Sequence, residues 1–225
     1  MSEVAQYGPN IRALGVHLTQ GQMLPYARAA ELIFEMTGLS VSPATLLAWV
    51  AEARLALQDT ADLIARQLHH APVLCADESG LRVDGKLHWM HVAATAQLTW
   101  YGMHAKRGFD AIAAHGILPK RLGVLVHDCW SPYWKLDDGL HALCNAHLLR
   151  ELVYAQAVTG QDWPAAMTAL LPNAKTLRTA ARQQGPPRAV VASSAFPTLH
   201  AALVRDGQEL NPTSTNTHSK PGLRK

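Results

Sequence analysis

The chain has 225 residues, 48% of them hydrophobic and 16% charged, with a formal net charge of +3 at neutral pH. That is enough apolar length to bury a real core, in one domain or two. No run approaches the roughly eighteen uncharged apolar residues of a membrane span, and Met1-Ser2-Glu3 does not open a basic-then-apolar secretory signal, so a soluble, cytoplasmic chain is the default expectation.

Leu24-Pro25 leads into an amphipathic helix over residues 26–36, with Ala29, Leu32, Ile33 and Met36 at helical spacing and Gly38 as its stop. Ser42-Pro43 restarts a helix, the hydroxyl as N-cap and the proline at the first helical position. Its apolar stripe from Leu46 through Val50, Leu57 and Ile64 to Leu68 predicts one long helix reaching His69. Two helices around a short turn have the outline of a helix-turn-helix, although the second offers few basic side chains near its start, and a helical scaffold fits the same pattern.

From residue 71 the periodicity shortens. Residues 72–76, 87–95 and 98–104 predict three strands, the last two joined tightly at Ala96-Gln97. A helix over 109–115, a strand over 124–126 and a helix over 141–158 follow. The last places Cys144, His147 and Glu151 on one face. Residues 163–181 predict a further helix broken at Pro172, and 196–205 a shorter helical piece. The order predicts an α/β chain with a mixed sheet. Its expected domains are a helical segment over 1–70, the α/β core over 71–160, the start of a helical insertion over 161–185, and a poorly ordered basic tail over 186–225.

Charge follows the same division. Residues 1–70 carry four Arg against six acids, 71–160 eight bases against eight acids, and 161–225 eight bases against three acids. A basic tail suits phosphate contacts with nucleic acid and equally an ordinary solvated end. Cys75, Cys129 and Cys144 are scattered among apolar neighbours, as expected of reduced thiols.

Twice a short apolar run delivers an aspartate: Val73-Leu74-Cys75-Ala76-Asp77 and Val124-Leu125-Val126-His127-Asp128. Two carboxylates at neighbouring strand tips suit a shared pair of divalent metal ions roughly 3.5 to 4 Å apart, the arrangement that activates an attacking oxygen and stabilises a leaving one. Asp at a strand end also serves as a turn residue or helix cap. Glu78 and His127, one residue out of phase, face the other way, and His127 is expected to be packed or hydrogen-bonding. Cys144-x-x-His147 lacks the further ligands a zinc site needs, which favours a structural role.

The blocks Asp77-Glu78-Ser79-Gly80-Leu81-Arg82-Val83, Gly85-Lys86-Leu87-His88-Trp89, Lys106-Arg107-Gly108, Gly116-Ile117-Leu118-Pro119, His127-Asp128-x-Trp130-x-Pro132-Tyr133 and residues 144–152, with Tyr7-Gly8-Pro9 and Leu24-Pro25-Tyr26 upstream, resemble the transposases of the insertion sequence sixty-six family over about residues 5–185. The resemblance implies a ribonuclease H-like fold, a mixed sheet flanked by helices. It also implies a DDE set of acids that uses Mg²⁺ or Mn²⁺ to cut DNA at transposon ends and join the freed 3′-hydroxyl to target DNA, with a homo-oligomer in a full-length form. Asp77 matches the first acid and Asp128 the second, both as metal ligands. Ser79 stands where Thr is usual and Cys129 where His is common. The family's third acid is expected in an Asn-Asn-x-Ala-Glu-Arg motif that these residues do not contain, and Glu151 is the local candidate for it. The expectation is therefore a truncated transposase, with a catalytically inactive DNA-binding or interaction remnant as the alternative.

Overall fold

A computed structural model describes residues 7–136, 138–181 and 195–212. The chain divides into two compact units, residues 1–123 and 124–225.

The first unit begins with helices: α1 (Pro9–Val16) continuing into a π-helical turn (His17–Gly21), then α2 (Tyr26–Thr37), α3 (Pro43–Ala56) and α4 (Gln58–His69). Gly38 ends α2 at φ 72°, where a side chain would be strained. Ser42 caps α3 as expected, accepting the Thr45 N–H at 3.0 Å. A Ser42→Ala variant is expected to lose about 1 kcal/mol of stability, read by urea titration. Leu18, Ala29, Ile33, Val41, Leu46 and Trp49 form one buried cluster, so α2 and α3 pack on α1 as a scaffold. The single long helix expected after Pro43 is instead two, because the backbone leaves helical geometry at Leu57 (φ −95°, ψ 1°). The apolar spacing hides the break because Leu57, which continues the stripe in the sequence, is the exposed residue at which the two helices meet.

Three antiparallel strands follow: β1 (Val73–Val83), β2 (Lys86–Ala94) and β3 (Thr99–His104). β1 is much longer than the expected strand and runs past Asp77. The reason is the Asp84-Gly85 turn, with both residues at positive φ (49° and 74°), which closes a two-residue hairpin and lets residues 77–83 pair with 86–92. Thr95 fixes the second turn, its hydroxyl accepting from the Gln97 and Leu98 N–H groups. Then come α5 (Phe109–His115), as expected, and a 3₁₀ turn (Leu118–Lys120). Gly123 lies so close to the Ala71 and Pro72 carbonyls that any Cβ there would collide with backbone.

His91, His104 and His115 gather between β2, β3 and α5, with ring centroids 5.1 Å (91–115) and 5.9 Å (104–115) apart and Trp100 against His115 at 5.0 Å. Burial, above all, lowers His91 and His115 from the ordinary 6.5, and their mutual charge adds to it at His115. In the unfolded chain these rings take up protons near pH 6.5, whereas the folded chain resists until lower pH. Stability is therefore expected to fall as pH drops from about 7 towards 5. Thermal melts across that range check this, and His115→Asn is expected to flatten the dependence.

The second unit holds β4 (Val124–His127), a 3₁₀ turn (Ser131–Lys135) and β5 (His141–Leu143), the strands pairing in parallel with Leu125 opposite His141. The helix expected from residue 141 starts four residues later, as α6 (Asn145–Thr159). Residues 141–143 are a strand because β4 offers them a ladder, and the Cys144 N–H closes it on the His127 carbonyl at 2.8 Å. α7 (Trp163–Ala181) runs through Pro172 without the expected break. Proline removes one backbone donor, and packing around Met167, Leu170 and Leu152 holds the helix together. α8 (Phe196–Leu210) extends beyond the helical piece expected there, while residues 186–194 and 213–225 of the expected tail lie outside the described residues.

Antiparallel and parallel pairings with accompanying helices make this a mixed α/β chain, consistent with a ribonuclease H-like fold. Among the described residues no helix is long and apolar enough to cross a membrane.

Candidate active site

Asp77 sits inside β1, not at its tip as the sequence pattern suggested. Leu74 and Ala76 alternate inward and continue to Glu78, whereas Cys75, Asp77 and Ser79 take the exposed face. The Asp77 Oδ1 accepts the Glu78 N–H at 2.9 Å. Glu78 itself is turned away, its side chain 1% exposed, and is held by Arg107: Nε at 2.8 Å and Nη2 at 2.6 Å from one carboxylate oxygen. The same guanidinium lies 4.9 Å from the centre of the Trp89 ring. Sequence reasoning placed Glu78 on the far face but missed the ion pair, whose partners are 29 residues apart.

Asp128 directly follows β4, as expected. Its Oδ1 accepts the Trp130 N–H at 3.0 Å, an Asx-type turn that sets the carboxylate at the start of the aromatic loop. Behind it His127 is buried, packed on Tyr133 and Trp134, its Nδ1 donating to the Asp128 carbonyl and its Nε2 2.8 Å from His141 Nδ1. The far side of that pair is tied down as His141 Nε2 donates to the Leu136 carbonyl at 2.6 Å. His141 was not expected to take part, because its role arises only from β5 pairing with β4.

Glu151 lies midway along α6, exposed, at the edge of an apolar cavity of 850 Å³ lined by Leu148, Leu152, Trp163 and Met167 among others. Cys129 feels the charge of both candidate acids of this unit. Partial burial first, then the charges of Glu151 and of Asp128, push its thiol above the ordinary value. Cys144 is the residue before α6 and not part of the helical face expected for it. Burial works to raise its thiol, but the neighbouring His147 side chain and the His147 and Ala146 N–H groups outweigh it and hold the thiol low. Among the described residues the buried His147 Nδ1 has no hydrogen-bond partner.

Asp77 and Asp128 thus each use one carboxylate oxygen on a backbone N–H and, among the described residues, keep the second free of hydrogen bonds. An all-oxygen donor set suits hard cations such as Mg²⁺ and Mn²⁺. Among the described residues no group of three or more His, Cys, Asp or Glu stands together in metal-holding geometry.

Residues 5–221 match the family model described as "Transposase IS66 family". The chain belongs to that family. No curated protein matches it. An IS66-family transposase serves DNA transposition, and divalent metal dependence is a general property of DDE transposases. The match also extends well beyond residue 185, where the recognisable sequence blocks stop.

Proposed function

We propose that this IS66-family chain cuts DNA at transposon ends and joins the freed 3′-hydroxyl to target DNA, with Asp77 and Asp128 as ligands of Mg²⁺ or Mn²⁺ and Glu151 as the candidate third acid. The family match over residues 5–221 carries the reading. The oxygen left free on each aspartate supports it. When bound, the divalent ions would supply charge neutralisation at the phosphodiester and a more acidic attacking hydroxyl. The chain's own residues do the rest of the work. Backbone N–H groups of Glu78 and Trp130 fix the two carboxylates in rotation, so that little reorganisation is needed during phosphoryl transfer. Trp130 and the buried His127–His141 pair brace the loop behind Asp128.

A labelled-DNA assay with transposon-end substrate tests this. Strand cleavage that needs Mg²⁺ or Mn²⁺ and stops with a chelator is expected. Salt-sensitive DNA retention without cleavage would instead establish the inactive, DNA-binding remnant, and the absence of both would overturn the reading altogether.

A further inference from the structure

The β1 strand carries two neighbouring carboxylates with opposite fates. Asp77 is exposed with an oxygen to spare, and Glu78, the next residue, is sealed on the other face. What seals it is specific. Arg107 enters from the segment between β3 and α5, places two N–H groups on one Glu78 oxygen and spreads its guanidinium over Trp89. Trp89 stands opposite Gly80 across the hairpin, and His91, opposite Glu78, is tied by its ring to the Lys106 carbonyl. The arginine segment is therefore fastened to β1 and β2 at adjacent points around residue 78.

We propose that Arg107 is a positioning residue for metal binding at Asp77, acting through Glu78. The inference rests on the metal-binding reading of Asp77 given above. The Glu78 amide that orients the Asp77 carboxylate belongs to the residue Arg107 anchors, so loosening the anchor loosens the ligand. Partners of metal ligands with this role are typically worth about 10- to 100-fold in metal affinity. Lysine cannot replace the arginine fully, because a point charge makes neither the two-pronged contact nor the flat stacking on indole.

Mn²⁺ binding to the whole chain, followed by electron paramagnetic resonance at low temperature, provides the test without reference to cleavage. Asp77→Asn is expected to abolish the Asp77-dependent signal. Arg107→Ala is expected to weaken Mn²⁺ binding about tenfold or more in protein that circular dichroism shows to be folded, with Arg107→Lys in between. Adding Glu78→Gln to Arg107→Ala is expected to recover part of the loss, because the buried charge that Arg107 neutralised is removed with it. Wild-type binding that Arg107→Ala leaves unchanged would sink the positioning role alone. Absence of Asp77-dependent binding in the wild type would sink the metal reading and this inference with it. A purely structural role would lower the melting temperature and leave the affinity of folded protein where it was.

Discussion

Replacing Asp77 or Asp128 by Asn is expected to lower metal-dependent strand cleavage by roughly 1000-fold or more while leaving the fold in place. The amide keeps the size of the side chain and can still accept the Glu78 or Trp130 N–H, so local geometry is retained. What it loses is the negative charge that, on the proposed function, would hold a hard cation. Metal-derived stabilisation of a phosphoryl-transfer transition state is worth several kcal/mol, and each ~1.4 kcal/mol is tenfold in rate. Initial rates of strand nicking in Mg²⁺, set beside matched melting curves, check the expectation. A variant that cleaves within about tenfold of the parent would remove that aspartate from the metal set.

The second large effect falls on stability. Trp49→Ala is expected to cost about 3–5 kcal/mol and to be seen as a matching fall in the denaturant midpoint. Trp49 is buried in the helical cluster, meets Tyr7 edge-on at a centroid distance of 5.2 Å, and lies against Gly15 so tightly that a Cβ there would come within 2.9 Å of the indole. Removing the indole would leave a cavity in the middle of that cluster. The Tyr7 hydroxyl, which donates to the Ser40 carbonyl at 2.7 Å, would lose its packing support and expose the turn between α2 and α3. A loss below about 1 kcal/mol would mean that these helices are not held by this core.

Much of the fold around the candidate site was legible because its signals are local. An apolar run ending in Asp, a Ser-Pro helix start and a glycine stop are each decided within a few residues, and they located Asp77, Asp128, α2 and the start of α3. One local signal was available and unused. Asp84-Gly85 between residues of strand character announces a tight hairpin, and reading it would have carried β1 past Asp77 and moved that acid from strand tip to strand interior.

The remainder depends on partners distant in sequence. Three residues cannot declare themselves a strand, and His141–Leu143 becomes one only because β4 supplies a parallel ladder, which in turn displaces Cys144 to the position before α6. Proline at 172 forbids one hydrogen bond whatever the context, but whether the helix survives is settled by the packing that surrounds it. The pairing of Glu78 with Arg107 has the same character. Sequence determined that the two residues exist, that Glu78 turns away from Asp77 and that two aspartates stand in motifs resembling a family's. Only the tertiary structure brought the arginine to the buried carboxylate, because a charge is placed in the interior when a partner from elsewhere in the chain arrives to neutralise it.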